Sequence, residues 1–163
     1  MILQIVGYKN SGKTTLMAHT IQFLKSNLLT VATVKHHGHS KLDDYEADIA
    51  LQNDSVDHMK HFNAGADQSI VQGQHYQQTV TRTEKQSLEE IISESVTIES
   101  NVILVEGFKS ARYDKVVVYR DEEERQKLSQ LANVKYFVNI ADRDAWALYD
   151  QWLFQYFKIE GMH

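Results

Sequence analysis

The chain contains no cysteine among its 163 residues. Disulfides, thiolate metal sites and cysteine nucleophiles are therefore excluded, and a cytoplasmic setting is expected. Proline is also absent, where average usage of about 5% would give roughly eight. No apolar run approaches the roughly 18 residues of a membrane helix. The stretch Ile2 to Val6 is too short for a signal peptide and runs straight into a glycine-bearing turn. Basic runs are missing too, and the formal net charge is -5. A nucleic-acid backbone is thus not the expected partner, because neutralising phosphates requires clustered Lys and Arg.

What is present is 42% hydrophobic and 24% charged residues, enough for a core without disulfide or metal staples. No repeat, low-complexity tract or linker interrupts residues 1–163, so a single domain is expected. Apolar strands alternate with helical patterns, the signature of an α/β fold with a mostly parallel sheet flanked by helices. Met1 to Val6 reads as a strand buried on both faces. Gly12 to Ser26 follows as an amphipathic helix, then a strand at Leu29 to Lys35. A polar stretch leads to a short helix near Val56 to Asn63, which Gly65 stops. Ser69 to Gln72 and Tyr76 to Arg82 form an added β-hairpin. Thr83 and Gln86 have capping-box spacing ahead of a helix carrying Leu88, Ile91, Ile92 and Ser95. Asn101 to Glu106, Lys115 to Arg120 and Val134 to Ile140 read as further strands, with a helix at Asp121 to Leu131. A final helix, about Arg143 to Ile159, spreads its aromatics over more than one face, so a partner subunit is expected to cover some of them.

The residues Gly7-Tyr8-Lys9-Asn10-Ser11-Gly12-Lys13-Thr14 fit GxxxxGK[ST] at every fixed position. Glycine lets the backbone curl until successive N–H groups point inward at phosphate oxygens, and the following helix adds its positive dipole end. Lys13 is expected on the β- and γ-phosphates, the Thr14 hydroxyl on magnesium, and Thr15 on a further phosphate oxygen. A chance match arises in about one chain of this length in a hundred. Here the motif also sits between a buried strand and an amphipathic helix, as its chemistry demands.

Such a loop needs an acidic residue on a neighbouring strand to hold hydrated magnesium. Glu106, after four apolar residues and before Gly107, is the candidate, with a solvent-facing strand end as the alternative. Asn139-Ile140-Ala141-Asp142 has the Asn-x-x-Asp spacing of the guanine-reading motif of GTP-binding proteins, with Ile140 where lysine is usual. A carboxylate at Asp142 would accept from the guanine N1–H and 2-amino group; a helix cap is the alternative. Lys35, His36, His37 and His39 open a loop rich in Asp and Glu that extends past Asp54 to His58 and His61. It reads as a nucleotide-responsive switch, a transition-metal site or a solvated loop.

The runs GYKNSGKTTL (7–16), VATVKHHGHS (31–40), AGA (64–66) and VILVEGFK (102–109), in that order, resemble the MobB family of molybdopterin-guanine dinucleotide biosynthesis adaptors. The resemblance extends to about Arg120. It implies a phosphate-loop NTPase-like fold and a homodimer that binds GTP with magnesium. It also implies assistance to the guanylyltransferase that attaches GMP to the pterin, weak GTP hydrolysis at most, and molybdopterin as a further candidate partner. By the same resemblance Gly7 to Thr15 hold the phosphates, Glu106 lies near the metal, and Lys35, His36, His39 and Asp54 lie on or near the nucleotide-facing loop. A nickel-type metallochaperone GTPase and a small-molecule kinase are the alternatives.

Overall fold

The computed structural model describes residues 1–37 and 49–159. In chain order the elements are β1 (Ile2–Gly7), α1 (Lys13–Ser26), β2 (Val31–Lys35), α2 (Asp57–Asn63), β3 (Gln68–Gln72) and β4 (Gln77–Thr81). There follow α3 (Leu88–Ser95), β5 (Val102–Glu106), β6 (Asp114–Val118), α4 (Glu122–Leu128), β7 (Val134–Val138) and α5 (Ala145–Phe157). The chain divides into two compact units, one built from residues 1–36 and 88 onward, the other from 37–87. No linker in the sequence marks this division.

The larger unit is a five-stranded sheet in the order β2-β5-β1-β6-β7, parallel throughout. Alternation along the strands sends side chains to both faces, and both are covered, hence the continuous apolar runs. On one face Leu3, Ile5, Leu104, Val116 and Val118 pack under α1 and α5 through Leu16, Leu24, Tyr149 and Leu153. On the other, Val6 and Val117 meet Leu128 of α4, while Val34 and Val105 meet Leu88 of α3. The chain order places β6 beside β1, not beside β5, so the 107–113 connection crosses the sheet. Register then sets the carboxyl ends side by side, with Ile5 opposite Glu106 and Glu106 opposite Lys35. In an open α/β sheet this end is where ligands bind.

Two expectations about helix starts are corrected. Thr83 and Gln86 do not form a capping box, because α3 begins only at Leu88 and the Thr83 hydroxyl donates instead to the Glu84 carbonyl. Asp142 does not cap α5, whose N-cap is Asp144 with no side-chain bond. By contrast α4 is firmly started: Asp121 accepts from the Glu124 N–H, and Glu124 reaches back to the Arg120 N–H. The first bond satisfies a donor that a helix start leaves unpaired, and the second ties down the residue before the cap.

The aromatics of α5 largely satisfy one another. Trp152 stacks between Tyr136 of β7 and Tyr156 at 5.0 and 4.8 Å. Tyr149 is fully buried, with its hydroxyl 2.9 Å from that of Thr20 on α1. Phe154 and Leu148 are the large apolar side chains of α5 left exposed.

The smaller unit consists of α2 and the β3–β4 hairpin, whose strands pair antiparallel from Gln68 opposite Thr81 to Gln72 opposite Gln77. Ser69 donates to the His58 carbonyl, and Arg82 lies over the Phe62 ring at 4.1 Å while donating to the Phe62 carbonyl. Among the described residues no helix is long and apolar enough to cross a membrane.

Candidate nucleotide site

The turn between β1 and α1 is curled. Asn10 and Gly12 both adopt left-handed backbone, at φ 61° and 98°, and the Ser11 N–H returns to the Tyr8 carbonyl. Glycine is required at Gly12 for that conformation. It is required for space at Gly7, where a Cβ would fall 2.5 Å from both the Ser11 hydroxyl and the Val118 carbonyl oxygen. The Ser11 hydroxyl is itself buried without a hydrogen-bond partner.

This curl delivers the chain into α1 with Gly12 as N-cap and no side chain capping it. The first intrahelical bond runs from the Leu16 N–H to the Gly12 carbonyl at 2.9 Å. The amides just ahead of it belong to the set that no helix satisfies internally, and they carry the positive end of the dipole. They open on a cleft of about 400 Å³ lined by Lys9, Asn10, Gly12, Lys13, Thr14, Thr15, Lys35 and Glu106. That geometry suits an anion.

Charge inside the cleft is arranged in pairs. The Lys13 ammonium donates to the Tyr8 carbonyl at 2.6 Å, folded back on its own loop. Burial pushes its pKa below the usual lysine value; Glu106 opposes this, and Lys109, Lys35 and Arg120 push it further down. Glu106, at the end of β5, is nine-tenths buried. Its two carboxylate oxygens lie 3.3 and 3.2 Å from the Thr14 hydroxyl, and Oε1 lies 3.2 Å from the Lys35 ammonium. The reading of Glu106 as a solvent-facing strand end therefore fails.

A carboxylate and a hydroxyl within hydrogen-bond reach make a hard oxygen donor set, the kind that suits magnesium. The ammonium already drawn to Glu106 shows that the position favours a cation. The residues present fit the ion.

Sequence reasoning missed what holds Glu106 in place. Gly107 and Phe108, directly after it, are both left-handed, at φ 93° and 54°. Gln4 of β1, with no exposed surface, donates to both of their carbonyls at 2.9 and 2.8 Å. The fully buried Lys115 donates to the Tyr113 carbonyl at 3.0 Å and to that of Ala111. Burial lowers its pKa, with Asp114 opposing. Two polar side chains under the sheet thus tether the 107–113 connection at both ends. Lys109, on that connection, lies 4.3 Å from the centre of the Tyr8 ring. The signal available in sequence was a glutamine and a lysine interrupting otherwise apolar strands.

The remaining expected residues are placed unevenly. His36 donates its N–H to the Glu106 carbonyl and packs its ring on Phe108 at 4.7 Å; it does not line the cleft. His39 lies outside the described residues. Asp54 belongs to the smaller unit, where it accepts from Asn63. His58 lies 2.6 Å from Gln52 Oε1, and among the described residues no three His, Asp or Glu side chains converge as a metal site. Asn139 accepts from the Ala141 N–H within its own turn and donates across to the Arg120 carbonyl after β6. Ile140 closes on the phosphate loop: a Cβ on Gly12 would meet its Cδ1 at 2.3 Å.

Comparison with known proteins identifies the family. The family model described as molybdopterin guanine dinucleotide synthesis protein B, MobB, matches residues 2–142. The chain belongs to the MobB family. A Bacillus subtilis protein described as a probable molybdopterin-guanine dinucleotide biosynthesis adapter is 32% identical over 82% of this chain and 72% of its own length. An adapter protein of that biosynthesis from Escherichia coli is 30% identical over 74% of this chain and 66% of its own. The crystal structure of a MobB homologue from Bacillus stearothermophilus superposes with a TM-score of 0.70 at 28% identity, covering 98% of this chain and 99% of that one. Crystalline Bacillus subtilis MobB, at 24% identity and a TM-score of 0.71, shares the fold. Family membership carries the phosphate-loop NTPase-like architecture with it.

Proposed function

We propose that this chain is an adapter of molybdopterin-guanine dinucleotide biosynthesis that binds GTP with magnesium and assists the partner guanylyltransferase. The names of its relatives supply the pathway. The observation carrying the nucleotide reading is the uncapped start of α1, entered through left-handed Asn10 and Gly12 and facing Lys13, Thr14 and Glu106 across one cleft.

In this reading the first-turn amides take the phosphate oxygens, and Lys13 exchanges the Tyr8 carbonyl for the β- and γ-phosphates. Thr14 and Glu106 hold magnesium, whose chemical contribution is neutralisation of phosphate charge. Asp142 selects guanine, with Asn139 shaping the turn that carries it. Neither a glutamine nor an arginine is among the residues lining the cleft. Water positioning and transition-state charge therefore lack a supplier within the described cleft, and hydrolysis is slow at most. This suits an adapter working as a homodimer, with the guanylyltransferase performing the transfer.

The test is calorimetry with GTP and magnesium, followed by capture of the guanylyltransferase with and without nucleotide. One saturable site is expected, with a loss of at least about a hundredfold in affinity on Lys13→Ala and an unchanged melting temperature. Undiminished affinity in that variant contradicts the site. GTP binding without any capture of the guanylyltransferase contradicts the adapter role.

A further inference from the structure

Lys35 lines the cleft, yet the nucleotide reading gives its ammonium no part. It closes β2, one strand over from Glu106, and register alone sets the two residues side by side. Its ammonium sits 3.2 Å from Glu106 Oε1, on a carboxylate that is 10% exposed, while the lysine side chain is itself 59% exposed. The Thr14 hydroxyl touches both oxygens of the same carboxylate. Lys35 therefore neutralises the group that a divalent cation would need, and does so from the solvent side, on a flexible stem.

Resting on the nucleotide reading above, we infer that Lys35 is an internal counter-ion that competes with magnesium for Glu106 and is released when the metal–nucleotide complex is taken up. A buried carboxylate left without a cation is costly, so the pair stabilises the site before ligand arrives. Two cations cannot both face Glu106 closely, since like charges at short range repel. Half-exposed, the ammonium leaves at small cost. As a residue lining the cleft, it stays available to an incoming anion. Occupancy by nucleotide is thereby coupled to a side-chain exchange at the end of β2, beside His36, whose N–H bonds to the Glu106 carbonyl.

The test titrates manganese, read by electron paramagnetic resonance, into protein saturated with a non-hydrolysable GTP analogue. Lys35→Met should tighten manganese binding about fivefold, the scale of a half-exposed ion pair. Lys35→Arg, which keeps the pairing, should match the wild type in manganese affinity and melting temperature, whereas Lys35→Met should melt lower without ligand, because it leaves the Glu106 carboxylate unpaired. Equal or weaker manganese binding by Lys35→Met, with nucleotide still bound by the wild type, overturns the exchange alone. No nucleotide bound by the wild type overturns the exchange together with the function on which it rests.

Discussion

Replacing Gln4 by methionine, an unbranched side chain of similar length, removes the tether of the 107–113 connection while leaving the sheet its volume. Gln4 Nε2 satisfies two carbonyls, those of Gly107 and Phe108. Each buried acceptor left unpaired costs about 1–3 kcal/mol, so the two together cost about 2–6 kcal/mol. Against this stands Gln4 Oε1, buried without a partner, whose removal returns about 1–3 kcal/mol. Phe108 also relaxes from its left-handed backbone, returning about 1 kcal/mol. Taking the middle of each range, the net loss is about 1 kcal/mol. Urea unfolding reads it as a lower midpoint at constant slope. Hydrogen exchange should show amides of 107–113 opening first, because their anchor is gone. Since Glu106 directly precedes the freed turn, magnesium-dependent GTP affinity should fall as well. An unchanged midpoint, or a lowered one with 107–113 still protected, would refute the tether.

Gly12→Ala should cost about 1–2 kcal/mol for its left-handed backbone alone and push the Ile140 side chain away; chemical unfolding and GTP titration should both register the loss. Alkaline stability tests Tyr149, whose phenol burial raises well above the usual tyrosine value, with the Thr20 hydrogen bond opposing. The unfolded chain loses that proton above about pH 10 while the folded protein keeps it. The contribution of Tyr149 to stability is therefore full below about pH 10 and is lost at about 1.4 kcal/mol per pH unit above it. In urea unfolding at stepped alkaline pH, Tyr149→Phe should lessen the loss by about that slope, leaving the share of Tyr156, whose pKa burial also raises. Asp142→Asn should cut the preference for GTP over ATP at least about tenfold; an unchanged ratio in competition binding would leave the tetrad structural.

The first third of the site could be read from sequence because its requirements are local. A continuous apolar run makes a doubly buried strand, Gly7 and Gly12 permit a curl, and Leu16, Thr20 and Leu24 mark one helix face. Glu106 was legible for the same reason, as a carboxylate closing a run of four apolar residues. What joins these pieces is not local. Nothing in Lys115 to Arg120 says that it lies beside β1 instead of β5, and the pairing of Lys35 with Glu106 exists only because β2 lies beside β5. Gln4 illustrates the limit best. In a strand, one polar residue reads as a solvent-facing position, whereas here it is buried to hold a turn more than a hundred residues away. The aromatics of α5 were visible but their destination was not, since Tyr136 and Thr20 receive them from β7 and α1. Capping patterns misled at Thr83 and Asp142 because each helix starts two or more residues later than the pattern suggests.

The central claim is that amides at the start of α1 receive the phosphates, and a nitrogen–proton correlation spectrum with GTP and magnesium measures this directly. The account predicts the largest saturable shifts at the amides of Gly12, Lys13, Thr14 and Thr15, absent from the Lys13→Ala variant. Shifts concentrated elsewhere, or none at these four amides at saturation, would contradict it.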